Sequence, residues 1–442
     1  MLKLATFQIH ETGMSMHRLS AAWCRPGANK VRAHTLRLAN SMKSRNCARG
    51  FIISALVGTA TIIASATGWA QISTPRTWPE LKEATQARVD GQRYPLAGYD
   101  RSEVREILDR IGSLDRDEWA RSWMVNAQRH MSEAQRVEHT DEAKAAEEYL
   151  AGWRYYAFGA WPTANSPEKE KSGKRGFDAF RHFARLTSPA IEVLRVPFEG
   201  KEIIGYLQKP AGVAKPPVVI ALGGADSYKE YVVDRYGPSY LKAGLAYVAL
   251  DLPAKGESKL LVWEPGSERI YSRVIDALQQ RMDIDTANIG FVGVSAGGHW
   301  AVRAAFAEPK RLKATVNWGG PVDLYFTKEW QVKQLGTREY LFDLFAVRAE
   351  FYGAKTLDEF LDAGPKMSMK EQLNKPAAPM LVVNGQLDSQ VPIDDTYVML
   401  RTGQPKEAWI NPTGAHLGRT AEWPDNRILN EVVIPYLQRK LF

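Results

Sequence analysis

The chain has 442 residues, 45% hydrophobic and 24% charged, enough for a large core and unlike the composition of a disordered segment. Its net charge of +8 is local: nine of the 58 Lys and Arg and one of the 50 acids lie in residues 1–70, leaving 49 of each beyond. A neutral remainder has no basic field to draw a polyanion, so nucleic acid is not an expected partner.

Met42-Lys43-Ser44-Arg45 with Arg49 forms a basic stretch, Phe51 to Ala66 an apolar one, and Gly68-Trp69-Ala70 sets small residues ahead of Gln71. These are the three parts of a secretory leader, which predicts cleavage within an N-terminal extension of residues 1–70, a true start at Met42 and a periplasmic or secreted product. The alternative is an uncleaved anchor, since the apolar run approaches the ~18 residues that a spanning helix needs. After cleavage no stable membrane insertion is expected. Cys24 and Cys47, the two cysteines, fall in the removed part, leaving no disulfide, thiol nucleophile or thiolate metal site.

Residues 71–100 are punctuated by Pro and Gly and read as irregular. From Arg101 the pattern is helical: Val104, Ile107, Leu108 and Ile111 share one face, and Trp119, Trp123 and Ala127 continue the spacing. A third helix is expected over Ala143–Phe158, started by Thr140 and the acids Asp141 and Glu142. A polar loop, Thr163 to Arg175, then leads to a fourth helix ending near Leu186. Residues 71–188 thus form a helical cap domain, followed by a catalytic domain over 189–442.

After Ser188 the rhythm changes. Ile191–Val196 and Ile203–Gln208 alternate like a strand pair. Short apolar runs follow at Val218–Leu222, Ala246–Asp251, Ile289–Val294, Ala314–Trp318, Met380–Val383 and Ala408–Ile410, separated by helix-length segments. That alternation predicts a mostly parallel sheet covered on both faces. Residues 326–375 interrupt it with an aromatic-rich helical insertion, expected to act as a lid.

Gly293-Val294-Ser295-Ala296-Gly297 follows an apolar strand and opens a helix with Ala301, Val302, Ala304 and Ala305, which is the setting a nucleophile elbow requires. The turn lifts the Ser295 hydroxyl and places the Ala296 N–H at a helix N-terminus, where it can donate to an oxyanion. A serine hydroxyl is a poor nucleophile without a base, and elbows of this kind take their partners in the order Ser, acid, His. His416 is the one histidine beyond the plausible acids. His299 reads as structural or substrate-shaping, and His130, His139 and His182 as surface or core residues. Asp388, on the loop after Met380–Val383, is the expected acid, able to hold the imidazole in the tautomer whose Nε2 accepts the serine proton. Asp394 and Asp395 compete, but look like the first turn of a helix. Gly223-Gly224-Ala225 offers a second oxyanion donor in the Ala225 N–H; a mere tight turn is the alternative.

With Asp251-Leu252-Pro253-Ala254-Lys255-Gly256-Glu257-Ser258 and Asn317-Trp318-Gly319-Gly320, these motifs make the chain resemble the α/β-hydrolase superfamily. Within it, Gly223-Gly224-Ala225-Asp226-Ser227-Tyr228-Lys229-Glu230 is similar to a segment of the branch containing FrsA and 2,6-dihydroxypseudooxynicotine hydrolase. The resemblance implies an α/β-hydrolase fold with a helical N-terminal cap. It also implies a triad of Ser295, Asp388 and His416, and carbonyl substrates that in some members are cleaved at a C–C bond. There an extra glutamate is implicated; Glu257 matches it, although Leu252 and Ala254 replace glycines of that segment, and a structural loop carboxylate is the competing role. The expected function is an exported serine hydrolase of carboxylic esters, with no cofactor or metal and a small apolar or aromatic substrate. C–C hydrolysis of aryl or β-diketones is the alternative, and an inactive binding protein on the same fold the alternative of another class. A homodimer is left open.

Overall fold

The structure, a computed structural model, describes residues 75–442. The leader, the start at Met42 and both cysteines lie outside the described residues. Helices come first: α1 (Trp78–Asp90), α2 (Arg101–Asp109), α3 (Arg116–Val137), α4 (Glu142–Ala160) and α5 (Pro167–Leu186). Two of these depart from the sequence expectation. Helix α1 occupies part of the stretch read as irregular. Thr77 and Glu80 cap it reciprocally, Pro79 sits in its first turn, and Leu81, Thr85 and Val89 are buried along one face. Helix α5 starts at Pro167, within the stretch read as a polar loop. Its polar residues are buried because they are satisfied: Lys169 Nζ donates to the Thr163 carbonyl (3.2 Å) and Ser172 Oγ to the Tyr156 carbonyl (2.7 Å).

The strands are β1 (Ile191–Phe198), β2 (Lys201–Gln208), β3 (Pro217–Leu222), β4 (Ala246–Leu250), β5 (Asp285–Val294), β6 (Leu312–Trp318), β7 (Met380–Gly385) and β8 (Glu407–Asn411). They form one sheet in the order β1-β2-β4-β3-β5-β6-β7-β8. β1 and β2 pair antiparallel, as do β2 and β4, and every other pair is parallel. Between the strands run α6 (Lys229–Arg235), α7 (Gly237–Lys242), α8 (Arg269–Gln279), α9 (Ala296–Ala307), α10 (Lys328–Leu335), α11 (Leu344–Tyr352), α12 (Leu357–Ala363) and α13 (Ile393–Arg401), with α14 (Asp425–Ile428) and α15 (Ile434–Leu441) closing the chain.

Successive strand residues point to opposite faces, so the buried runs feed two apolar layers. Val219, Ala221, Val292, Val316 and Val383 pack on one side with Val232 of α6, Leu437 of α15 and the cap residues Trp119, Trp123 and Phe180. Val218, Ile220, Leu222, Phe291 and Val382 pack on the other with Tyr271 of α8, Trp300 of α9 and Met399 of α13. The cap therefore shares a core with the sheet, and the described residues fall into one unit rather than two.

After β3 the chain adds β4 on one side and β5 on the other, so the loops leaving β3 and β5 face each other at the carboxyl end of the sheet. Such a point of reversal is where sheets of this kind open a crevice. No helix among the described residues is long and apolar enough to cross a membrane.

Candidate active site

Strand β5 ends at Val294 and α9 begins at Ala296, so Ser295 alone makes the turn, at φ 54° and ψ −120°. That left-handed backbone is strained for a side-chain-bearing residue, typically by about 1–3 kcal/mol, and persists because its neighbours fix it. Ser295 N–H donates to the Trp318 carbonyl (2.7 Å), tying the turn to β6. The elbow also needs its glycines: a Cβ on Gly293 would stand 1.9 Å from the Gly297 carbonyl oxygen, and one on Gly297 2.5 Å from the Gly223 oxygen. Gly297 thereby lets the loop after β3 lie directly on the start of α9.

Three predicted side chains meet above this turn. His416 Nε2 is 2.9 Å from Ser295 Oγ, and His416 Nδ1 is 2.8 Å from Asp388 Oδ2. The loop carrying His416 is fastened from three sides. Trp318 Nε1 donates to the Leu417 carbonyl (2.8 Å), Leu417 N–H to Asn384 Oδ1 (3.2 Å) and Asn411 Nδ2 to the Gly418 carbonyl (2.8 Å). Asp388 Oδ1 accepts from the Gln390 and Val391 N–H groups (2.8 and 3.0 Å), leaving Oδ2 for the imidazole. Burial pushes the Asp388 carboxyl up, but the adjacent imidazole and those two donors outweigh it and hold the group below the usual carboxylate range.

Ala296 N–H, first in α9, has no carbonyl one turn back to receive it. Gly224 packs against Ser295: a Cβ there would be 3.5 Å from that of the serine. Its carbonyl accepts from Ser227 N–H (3.3 Å) and Ser227 Oγ (3.2 Å), so the planar trans peptide directs the following Ala225 N–H the opposite way.

The competing residues lie elsewhere. Asp394 and Asp395 are in the first turn of α13. Asp395 accepts from the backbone N–H groups of Val322, Asp323, Leu324 and Tyr325 (2.7–3.4 Å), anchoring the start of the insertion; burial pushes its carboxyl up to about 6 against those donors. His299 is fully buried, its Nδ1 3.0 Å from the Pro321 carbonyl and its ring stacked on Trp263. Burial, reinforced by Arg303, pushes that imidazole well down and keeps it neutral. Glu257 bonds to Arg181 of α5 and lies 3.4 Å from Lys229 Nζ, in an ion cluster at the junction of cap and sheet, and is absent from the walls of the Ser295 cavity.

That cavity, of about 1140 Å³, contains Ser295 and His416 and is walled by Tyr94 and Trp161 of the cap, Tyr231 and Tyr236, and Tyr340 of the insertion. Tyr94 Oη and Trp161 Nε1 (3.0 Å) donate to Asp226, which Tyr340 also approaches in hydrogen-bond contact. Cap and insertion thus converge on one buried carboxylate in the loop after β3. Sequence reasoning missed this hub: Asp226 was visible only as part of a glycine-rich segment, and nothing in the pattern around Tyr94 or Trp161 separates them from core aromatics. Among the described residues no group of three or more His, Cys, Asp or Glu is arranged to hold a metal.

A family model described as Esterase FrsA-like matches residues 91–400. Among curated proteins, Esterase FrsA of Photobacterium profundum is 26% identical over 271 residues, 60% of this chain and 64% of that protein. The 2,6-dihydropseudooxynicotine hydrolase of Paenarthrobacter nicotinovorans is 28% identical over 317 residues, 70% of this chain and 82% of that one. The crystal structure of 2,6-dihydroxy-pseudo-oxynicotine hydrolase superposes with a TM-score of 0.66 at 23% identity, covering 80% of this chain and 95% of that one, a likeness of fold. The chain spans less than two thirds of the first of these relatives.

Proposed function

The chain belongs to the FrsA-like esterase family, and within it we propose that it is a serine hydrolase of carboxylic esters acting through an acyl-enzyme. The observation that carries this reading is the hydrogen-bonded line Ser295–His416–Asp388, at 2.9 and 2.8 Å. With Asp388 ionised and accepting from Nδ1–H, the imidazole Nε2 is left as the acceptor facing Ser295 Oγ. Ser295 attacks the ester carbonyl as His416 takes its proton, and the oxyanion that forms is met by the Ala296 and Ala225 N–H groups. Removing one such donor typically costs about 3 kcal/mol of transition-state stabilisation. Collapse expels the alcohol, which takes the proton from His416. Water then attacks the acyl-serine, with His416 again as base, and releases the acid. The tyrosine and tryptophan walls suit an acyl or alcohol part that is flat and largely apolar.

Cleavage of a C–C bond is the second reading, and in that branch it would enlist Glu257. Glu257 is engaged by Arg181 and Lys229 instead, which favours the ester. Incubating the protein with a fluorophosphonate should place a single adduct on the peptide carrying Ser295, and His416→Ala should suppress it. Absence of an adduct on Ser295 would sink the proposal and favour an inactive binding protein. Export belongs to the same reading, on the strength of the leader pattern in residues 42–70. N-terminal sequencing of the secreted form should begin at Gln71; a start upstream of Met42 would contradict it.

A further inference from the structure

The loop after β3 closes on itself. The Gly224 carbonyl accepts from Ser227 N–H at 3.3 Å, which makes Ala225 and Asp226 the central residues of a tight turn. Both ends of the turn are fixed. Gly223 lies against the elbow, where a Cβ on Gly297 would stand 2.5 Å from the Gly223 oxygen, and Lys229 N–H, opening α6, donates to Asp251 Oδ1 (2.9 Å). The tip is held by the buried Asp226 side chain. One of its oxygens accepts from Tyr94 Oη and the other from Trp161 Nε1 (3.0 Å), and Tyr340 Oη is in hydrogen-bond contact with the same carboxylate. These donors come from outside the sheet: Tyr94 from the link between α1 and α2, Trp161 from the end of α4, and Tyr340 from the insertion between α10 and α11. They are braced in turn, Trp161 stacked on Tyr340 at 5.9 Å and Tyr94 set edge to face on Tyr231 at 5.7 Å.

Both Asp226 oxygens hold donors from the cap, so the influence of this side chain reaches Ser295 through the backbone. Ala225 and Asp226 share one planar peptide with Cα atoms ~3.8 Å apart, so any shift in the anchoring of Asp226 tilts the Ala225 N–H with it. A donor stabilises an oxyanion fully only if it is already aimed when the charge develops. Resting on the esterase reading above, we propose that Asp226 is a positioning residue for the oxyanion hole. Held by Tyr94 and Trp161 of the cap and Tyr340 of the insertion, it aims the Ala225 N–H at the oxygen that gains charge beside Ser295. The cap then contributes to the rate, and not only to the shape of the cavity.

The test compares turnover of p-nitrophenyl butyrate by the full-length protein and by Asp226→Ala, Asp226→Asn and Tyr94→Phe. Losing the aim of one oxyanion donor should cost Asp226→Ala about 100-fold or more in kcat. KM should stay within about three-fold of the parent, because that donor acts on the transition state and not on the bound ester. Affinity for a trifluoromethyl ketone, whose adduct with Ser295 carries the same oxyanion, should fall in step. Asp226→Asn can keep both contacts, its amide oxygen facing Trp161 Nε1 and its NH₂ facing Tyr94 Oη as acceptor, so it should recover most of the loss. Tyr94→Phe removes only a hydroxyl; it should lower kcat by about three-fold or more alone and add little to Asp226→Ala. A smaller loss from Asp226→Ala, a loss confined to KM, or an Asp226→Asn as slow as Asp226→Ala would overturn the inference. Should Asp226→Ala melt below the assay temperature, Tyr94→Phe decides, and a parental kcat there overturns it. An unsubstituted protein that takes no fluorophosphonate on Ser295 fails the esterase reading itself. One that is labelled and turns over, with kcat indifferent to these substitutions, fails this inference alone.

Discussion

Replacing Asp388 with asparagine is expected to lower kcat on p-nitrophenyl esters by about 10,000-fold while the fold survives. The substituted side chain would keep an oxygen for the Gln390 and Val391 N–H groups, which hold the loop at 2.8 and 3.0 Å. Its other arm, now an amide NH₂, would meet His416 Nδ1 at the position where Oδ2 accepts at 2.8 Å. Two donors cannot share that contact. The imidazole would shift its proton to Nε2, the nitrogen 2.9 Å from Ser295 Oγ, and could no longer take the serine proton. Steady-state kinetics beside a thermal melt decide the matter. A kcat within about ten-fold of the parent, with an unchanged melting temperature, would show that Asp388 is not the orienting acid.

The second large effect is on stability. Lys229 Nζ is fully buried, 2.8 Å from Glu230, 3.2 Å from Asp251 and 3.4 Å from Glu257, with the Phe177 and Tyr206 rings about it. Burial works against its charge, but Asp251 and Glu230 outweigh that and raise its pKa, so the ammonium stays protonated. Lys229→Met would keep most of the side-chain volume and strand those carboxylates without their shared cation. The expected loss is about 3–5 kcal/mol of unfolding free energy, measured as a fall in the urea midpoint. If stranded charge is the cause, adding Glu230→Gln should recover part of the loss, because residues in one ion network do not act additively. A Lys229→Met variant as stable as the parent would show that the cluster contributes nothing net.

This cluster also illustrates where sequence reading stops. Glu257 could be matched to a motif, but its partners come from α5 and α6, 76 residues earlier in the case of Arg181, and no local pattern announces an ion pair across that distance. The same holds for Asp395. Its position in the first turn of α13 was legible, whereas its capture of four backbone N–H groups from residues 322–325 depends on where the insertion starts in space. Helix α1 is a different kind of miss. Thr77-Trp78-Pro79-Glu80 carries a capping signature, but the Pro and Gly around it are loop formers and mask it in the sequence.

The strands and the elbow were written in consecutive residues. Buried parallel strands need unbroken apolar runs, and a strand-to-helix turn as tight as that at Ser295 admits only small neighbours, so both leave a local mark. The order of Ser295, Asp388 and His416 along the chain was equally plain. How the cavity is walled and charged came from folding alone, because Tyr94, Trp161, Asp226 and Tyr340 belong to four separate segments and meet through side-chain hydrogen bonds that depend on packing. Local periodicity follows from the geometry of one element. The matching of charges between elements follows from their docking, which no stretch of sequence encodes alone.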